Sequence, residues 1–406
     1  MDDKIIMTEI STLDNNITIV TNPNYNVETT AIGIWLKNGV RSENTNEHGY
    51  AHFLEHLVFK QTKYHTGQQL SSRFEIMGGH INAETGRELT AFHGLVPKHY
   101  TIDLLKLFIE MLFHSDFTKN DFNIERDVVL QELAMLNDDP EEALEDFATE
   151  QVWSNHPMGR QILGSRESLH HAQHNNLVKY LTNVTGNNRL SIVVTGNVNH
   201  DEVCQVVNML TQTTQTAVPE TLAPEFITTC KHLDIPAEQH HLLWVMPAVA
   251  YNDDKQPAYE LANHILAGGY DSRLYQVLRE QLGLVYSIDS RVDHYSDTGL
   301  WFIQTNTEKE NSDKTTSAVE KTIVDFIKNG PTESEMEFAR QHLQSSLIVA
   351  QDDLEARMDK MARDIFYTGN IINTEDLLEK LSTVSIDDVQ NLLKQGWAKV
   401  SHFTAG

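Results

Sequence analysis

The segment HFLEH, at residues 52–56, limits the local fold more than any other feature of the chain. On a helix, His52 and His56 lie four residues apart and Glu55 follows His52 by three, so the three side chains share one face. Two imidazoles spaced in this way can reach one metal ion, and the carboxylate can take a proton from a water that the metal holds. This H-x-x-E-H order predicts a helix in a zinc-hydrolase site.

The residues around the motif favour a helix that packs against a core. The apolar stripe consists of Tyr50, Phe53, Leu54, Leu57 and Val58. The alternative reading, two histidines with polar contacts on a buried helix, requires burying a charged glutamate, which is costly without a partner or a metal. Two histidines also leave zinc one short of the three protein ligands of a catalytic site, so another element has to supply an acid.

The formal net charge of −27 at pH 7 is large for a chain of 406 residues. A surface of this sign repels nucleic acid and anionic membranes, so neither is expected as a partner. It would favour cationic ligands, although a well-solvated surface is the simpler explanation. No apolar run has the length of a membrane span, and the acidic N-terminus resembles neither a signal nor a transit peptide. Cys204 and Cys230 are too few for a disulfide framework. We therefore expect a cytoplasmic protein.

The two halves of the chain repeat one order of elements. The first half has predicted strands at residues 16–21 and 30–37, the motif helix, a helix at 68–77, a hairpin at 80–83 and 90–96, helices over 98–180 and a strand at 189–196. The second has strands at 226–233 and 241–247, a helix at 257–266, strands at 285–292 and 300–306, helices over 312–394 and a strand at 399–404. We predict an internal duplication: an α+β domain over 1–212, a linker over 213–225 and a second α+β domain over 226–406.

Several acids are candidates for the third metal ligand. Glu125 and Glu132 are seven residues apart, two helical turns, and share a face with an apolar pair. Glu84 and Glu88 are rival ligands. The residues alone do not select one of them.

Three segments resemble the pitrilysin/insulinase family of inverted-zincin metallopeptidases, in particular its short bacterial members that are similar to mitochondrial processing peptidase subunits. They are HFLEHLVFK at residues 52–60, GGHINAET at 78–85 and HPMGRQILG at 156–164. The resemblance spans both halves. It implies two homologous domains of this metallohydrolase fold, each an antiparallel-rich sheet packed with helices. It also implies that Glu132 is the third ligand and that Glu125 supports the site.

The resemblance also implies roles in substrate binding for two further segments. Residues 271–287 carry a family signature in the second half, which implies that Arg279 and Tyr286 contact the substrate near the scissile bond. An arginine and a phenol can hold a carbonyl and stabilise an oxyanion. Without the motif helix, a helix-to-strand turn with a solvated Arg279 would be the simpler interpretation. In the family, the strand around Asn82 and Ala83 binds an extended peptide through its main chain.

The sequence therefore predicts a zinc-dependent metalloendopeptidase that hydrolyses short or unfolded peptides inside a closed chamber. His52, His56 and Glu132 would hold one Zn²⁺ per chain, and Glu55 would activate the attacking water. Because relatives close the chamber from four such domains, we expect a homodimer or a heterodimer with a related chain. The alternatives are a non-catalytic partner subunit of a heterodimeric peptidase and a dedicated precursor-processing enzyme.

Overall fold

A computed structural model describes residues 8–185, 190–211 and 221–406. Its strands are β1 (Glu9–Thr12), β2 (Thr18–Pro23), β3 (Thr29–Leu36), β4 (His80–Thr85), β5 (Thr90–Pro97), β6 (Leu190–Gly196), β7 (Cys230–Leu233), β8 (His240–Ala248), β9 (Ile288–His294), β10 (Gly299–Thr307) and β11 (Ser401–Ala405). The first residues of the N-terminus, Arg189 of the predicted strand and the predicted linker as far as residue 220 lie outside the described residues.

The helices lie between these strands along the chain. They are α1 (Tyr50–Val58), α2 (Gly67–Met77), α3 (Thr101–Phe113), α4 (Lys119–Asp138), α5 (Pro140–Val152), α6 (Arg166–His171), α7 (His174–Thr185), α8 (His200–Leu210), α9 (Gln256–Ala267), α10 (Arg273–Tyr275), α11 (Ser312–Asn329), α12 (Glu333–Asp352), α13 (Leu354–Thr368), α14 (Thr374–Thr383) and α15 (Ile386–Trp397). A π-helical turn, Gln276–Gln281, continues α10. Among the described helices, none is both long and apolar enough to cross a membrane.

The chain forms two compact units, each built from three stretches of sequence. Unit 1 contains Met1–Ala134, Arg160–Thr221 and Ala350–Ile371, and unit 2 contains Met135–Gly159, Leu222–Val349 and Ile372–Gly406. Each unit therefore includes a helix from the other half of the chain, α13 in unit 1 and α5 in unit 2. The continuous domain boundaries drawn from the sequence stay a prediction.

Unit 1 is built on a sheet with the strand order β1-β2-β6-β3-β5-β4. The pairing is antiparallel except between β2 and β6, which run parallel. On one face the apolar stripes of α1, α3, α4, α7 and α8 form a core that includes Phe53, Phe108 and Leu177. On the opposite face α13 packs Met358 and Ile365 against strand residues that include Val20, Trp35 and Val193. The sheet is thus covered on both faces.

Unit 2 repeats this arrangement with the strand order β7-β11-β8-β10-β9. The pair β7 and β11 is parallel, as β2 and β6 are in unit 1, and the other pairs are antiparallel. One face carries α9, α11, α12 and α15 over a core that includes Trp301 and Phe326. The other face receives α5, whose Leu144 and Ala148 contact strand residues such as Phe403.

The order β2-β6-β3-β5-β4 in unit 1 matches β7-β11-β8-β10-β9 in unit 2, strand for strand and direction for direction. In each unit the last strand of the repeat lies between the first two. The predicted pair of homologous α+β domains is confirmed. Two strands of unit 2 begin later than the sequence pattern indicates, β7 at Cys230 and β9 at Ile288. Leu284 and Val285 pack into the core from the segment before β9, so their burial does not require a strand there.

Candidate metal centre

Helix α1 begins at a position that the surrounding backbone fixes closely. Its N-cap, Gly49, has φ +87°, and a Cβ there would lie 2.8 Å from both Gly164 Cα and the carbonyl oxygen of Leu163. Because glycine has no Cβ, it adopts this positive φ without strain and leaves room for the two backbone atoms. The buried carboxyl group of Glu43 accepts hydrogen bonds from the backbone N–H groups of Gly49 (2.9 Å) and Ala51 (2.8 Å). These bonds satisfy donors that a helix start leaves free, and they hold the first turn of α1 in place.

Three side chains from α1 and α4 come together at one point. The Nε2 atom of His56 lies 3.3 Å from Oε2 of Glu132, and Nε2 of His52 lies 3.8 Å from the same oxygen. One ligand atom from each residue lies within 4.8 Å of the other two. No other group of three or more potential metal ligands occurs among the described residues. The structure thus brings together the three ligands predicted from the sequence.

The donor set fits zinc. At metal–ligand distances of 2.0–2.2 Å, tetrahedral ligand atoms lie about 3.4 Å apart, close to the two separations measured here. Burial, followed by the neighbouring His56, lowers the pKa of His52 to about 4. Its imidazole is therefore neutral at pH 7 and can offer a lone pair. Two nitrogens and one carboxylate oxygen also form the ligand chemistry of catalytic zinc sites.

Glu125 lies behind His56, on the buried face of α4 that also carries Val129 and Leu133. Its Oε2 accepts a hydrogen bond from Nδ1 of His56 (3.1 Å), and its Oε1 pairs with Nζ of Lys60 (2.6 Å). Burial alone would raise the pKa of Glu125, but these two contacts outweigh it and lower the pKa. Burial alone would lower the pKa of His56, but Glu125 and the nearby carboxylates outweigh it and raise the pKa. Glu125 therefore directs Nε2 of His56 towards Glu132.

Glu55 lies on α1 between the two histidines and contacts strand β4. Thr85 Oγ1, at the end of β4, donates a hydrogen bond of 2.5 Å to Glu55 Oε2. Burial raises the pKa of Glu55, and the hydrogen bond from Thr85 offsets part of that rise. The carboxylate is consequently a stronger base than an exposed glutamate, and one of its oxygens has a fixed position.

The strand beside the centre presents a free edge. Within the described residues, β4 is the last strand of the unit 1 sheet and pairs with β5 on one side. Asn82 is exposed and Ala83 is half-buried, in an alternating pattern. Of the rival ligands, Glu84 is exposed on β4, whereas Glu88 is buried and pairs with Arg41 at 2.8 Å. Neither belongs to the three-ligand group.

Arg279 and Tyr286 lie in unit 2, on the π-helical turn and in the segment that follows it. The guanidinium of Arg279 lies over the rings of Tyr275 and Tyr286, with centroid distances of 5.0 and 5.3 Å, and it donates a hydrogen bond to the Tyr275 hydroxyl. Tyr286 is 79% exposed. The two residues therefore form one cationic and aromatic group.

The sequence did not predict the contacts of three residues at the site. Lys60 belongs to the recognised motif, but no spacing rule predicts its contact with Glu125 across the helix pair. Thr85 ends the GGHINAET segment, and only the packing of β4 on α1 shows that its hydroxyl reaches Glu55. Glu43 lies in a polar stretch six residues before Gly49, a spacing that no helix-capping pattern covers.

The fold and the site have the arrangement of an inverted zincin: an H-x-x-E-H helix, with a third acid that could hold a metal on a second helix of the same unit. The chain matches the family description "Insulinase (Peptidase family M16)" over residues 18–166 and "Peptidase M16 inactive domain" over residues 171–343. It belongs to peptidase family M16, and the resemblance to the pitrilysin/insulinase family is confirmed.

Similar proteins cover almost the whole chain. A Bacillus subtilis protein described as the uncharacterized zinc protease YmxG is 27% identical over 385 residues, which is 95% of this chain and 94% of the relative. An uncharacterized zinc protease of Rickettsia felis is 28% identical over 394 residues, or 97% and 95% of the two chains. The family thus supports zinc protease chemistry in general.

Two solved structures share the fold. The crystal structure of a protease from Helicobacter pylori has a TM-score of 0.92 at 17% identity and covers 98% of this chain and 99% of its own. A structure from Pseudomonas fluorescens, titled as a peptidase M16 inactive domain, has a TM-score of 0.87 at 18% identity, with 98% of each chain covered. At these identities the comparison establishes the fold alone.

Proposed function

We propose that this chain is a zinc metalloendopeptidase that cleaves short or unfolded peptides. The observation that carries the proposal is the convergence of His52, His56 and Glu132 beside the half-buried carboxylate of Glu55. These four residues combine a site for one Zn²⁺ with a base. When bound, zinc supplies Lewis acidity that makes a peptide carbonyl more electrophilic and a neighbouring water more acidic.

The side chains of unit 1 have separate tasks in this proposal. Glu55 Oε2 is held by Thr85, which leaves Oε1 to accept a proton from the attacking water and to pass it to the leaving amine. Glu125 orients His56 and keeps Nε2 free for the metal. The free edge of β4 around Asn82 and Ala83 binds the substrate main chain as an added strand.

Arg279 and Tyr286 are proposed to hold the substrate carbonyl and to stabilise the oxyanion that forms there. Their pairing supports this role, because a guanidinium and a phenol side by side offer several donors to one oxygen. Assembly into a homodimer, or into a heterodimer with a related chain, and a cytoplasmic location stay predictions. A mass equal to that of one chain in light scattering at micromolar concentration would count against the dimer.

The test is hydrolysis of an internally quenched fluorescent peptide by the zinc-loaded chain. We expect activity that a chelator abolishes and that returns on addition of zinc. Glu55→Gln should bind one zinc per chain, by elemental analysis, yet fail to cleave. Cleavage by this variant at the wild-type rate would refute the role of Glu55. A zinc-loaded, folded wild-type chain that cleaves no peptide would favour the non-catalytic partner subunit.

A further inference from the structure

The edge strand β4, beside the metal centre, has two chemically different faces. Ile81 and Ala83 are half-buried and pack against the core on the α1 side of the sheet. His80, Asn82 and Glu84 alternate with them, are exposed, and share the opposite face. A peptide that adds to this edge as a further strand would therefore place every second side chain beside the exposed face.

Glu84 is the acidic residue of that exposed face. Its carboxylate has neither a hydrogen bond nor an ion pair within the described part of the chain. Arg363 on α13 lies within electrostatic range of Glu84, but the Nε atom of Arg363 is paired with Asp359 at 2.8 Å. The Glu84 carboxylate is therefore left to water, and a cation on a neighbouring strand can pair with it.

Glu84 also lies close to the base of the metal centre. Thr85, the next residue of β4, donates the hydrogen bond to Glu55. Burial raises the pKa of Glu55, and the charge of Glu84 adds to that rise, so the two carboxylates lie within electrostatic range of each other. Because a strand advances about 3.3 Å per residue, a substrate side chain that pairs with Glu84 belongs to a residue close to the metal centre.

We propose that Glu84 selects peptide substrates that carry a lysine or an arginine at the position beside it. The substrate adds to the free edge of β4, and its ammonium or guanidinium group donates to the Glu84 carboxylate across the two strands. The neighbouring substrate residues point to the opposite face and do not contact Glu84. This inference rests on the proposed function and deepens it, because it names a class of substrate for the same site.

The net charge of the chain is the competing explanation for any preference of this kind. A formal charge of −27 attracts a cationic peptide to the whole surface. An effect of net charge is the same wherever the lysine stands in the peptide, whereas pairing with Glu84 acts at one position. Net charge also responds equally to the loss of any exposed acid, whereas the pair responds to the loss of Glu84.

The first test exchanges the charges on both sides of the pair. End-blocked peptides of one length, which carry Lys, Gln or Glu at one position of a neutral sequence, are titrated calorimetrically into the zinc-loaded Glu55→Gln chain. We expect the Lys peptide to bind about fivefold more tightly than the Glu peptide, because a repulsive cross-strand pair replaces an attractive one. When Glu84→Lys is added, the preference should reverse. Equal binding of the three peptides, no binding of any, or an unchanged preference in Glu84→Lys overturns the proposal.

Glu9→Lys is the matched control for this exchange. Glu9 is exposed on β1, the strand at the other end of the order of the same sheet. Its replacement changes the net charge by the same amount as Glu84→Lys. We expect Glu9→Lys to retain the preference for the Lys peptide. An equal loss of preference in the two variants would assign the effect to net charge and overturn the proposal.

Hydrolysis by the wild-type chain locates the pair along the substrate. The lysine is moved through the peptide one residue at a time, and mass spectrometry identifies the scissile bond in each case. We expect kcat/KM to rise when the lysine stands at one distance from the scissile bond, and to stay unchanged at the two neighbouring distances. A rise of equal size at every distance overturns the assignment to Glu84.

The two proposals fail in different ways. A preference for the Lys peptide in binding, with no peptide hydrolysis by the wild-type chain, would remove the peptidase and leave β4 as a peptide-binding strand. Hydrolysis that a chelator abolishes, without a charge preference, would remove the role of Glu84 and leave the peptidase.

Discussion

Replacement of Glu125 by glutamine tests whether the residue behind His56 sets the affinity for zinc. Glu125 is 3% exposed and holds Nδ1 of His56 at 3.1 Å. Glutamine has nearly the same shape and retains an acceptor oxygen, but it carries no charge. The substitution therefore preserves the packing of α4 and removes the charge assistance from one hydrogen bond.

The expected magnitude follows from that bond. Hydrogen bonds to charged groups contribute about 1.5–3 kcal/mol and neutral ones about 0.5–1.5 kcal/mol, so the loss is about 1–1.5 kcal/mol. This corresponds to a roughly tenfold weaker zinc Kd. It lies at the lower end of the about 10- to 100-fold range for groups that orient a metal ligand. Lys60, whose side chain is 38% exposed, becomes hydrated and adds little to the loss.

The assay is competition for zinc against a fluorescent chelator of known affinity, at pH 7.5. Glu75→Gln is the matched control, because it removes the same charge from an exposed position on α2 in the same unit. We expect this control to stay within twofold of wild type. A Glu125→Gln variant with wild-type affinity would show that the orientation of His56 does not depend on Glu125.

Three further variants test the contacts around the two units. Thr85→Val removes the donor to Glu55, and we expect kcat to fall about tenfold with zinc content unchanged; a change in KM alone would contradict this. Burial raises the pKa of Glu43 to about 8. Between pH 5 and 8 the folded chain therefore keeps a proton that the unfolded chain releases. Over that range the free energy of unfolding falls as the pH rises, by up to about 1.4 kcal/mol per pH unit. In Glu43→Gln this fall, followed by Tm, should be smaller, and an identical fall would refute the assignment. Burial would raise the pKa of Glu335, but its hydrogen bonds, led by those from Arg273, lower that pKa to about 2. The contribution of ionised Glu335 to the stability of the fold is therefore complete above about pH 4.5 and is lost as the pH falls towards 2. Glu335→Gln should therefore have a lower Tm than wild type at pH 7, with a gap that closes near pH 2; a gap of constant size would contradict this.

Residue spacing predicted the local part of the metal centre, whereas Glu132 and Glu125 were selected only by the family resemblance. The positions of His52, Glu55 and His56 on one helical face follow from their spacing, because a helix has a fixed period. The apolar stripe beside them indicated which face packs on the core, and Phe53 and Leu57 are buried there. The third ligand lies on α4, and 60 residues separate the end of α1 at Val58 from the start of α4 at Lys119. No sequence periodicity shows that two helices so far apart in the chain pack together.

The sequence pattern also did not indicate that each unit includes a helix from the other half of the chain. The helical periodicity of α5 and α13 resembles that of their neighbours, because an apolar stripe shows that a helix packs without showing on which sheet. The loop between α12 and α13 is short, since α12 ends at Asp352 and α13 begins at Leu354. Asp353 caps α13 through its carboxylate, which accepts hydrogen bonds from the N–H groups of Glu355 and Ala356. This cap marks the start of a helix but carries no information about the partner of that helix.

The packing of α13 on the sheet of unit 1 has a consequence for biosynthesis. The ribosome completes β6 at Gly196 and reaches the end of α13 at Thr368 only later, after about 9–34 s at an elongation rate of 5–20 residues per second. During that interval the strand face that carries Val20, Trp35 and Val193 has no helix to cover it. The nascent chain then presents the kind of apolar surface that chaperones bind. A chain that stops before residue 354 lacks α13 and cannot bury this face. Unit 1 therefore reaches its native state only when translation of the second half is nearly complete.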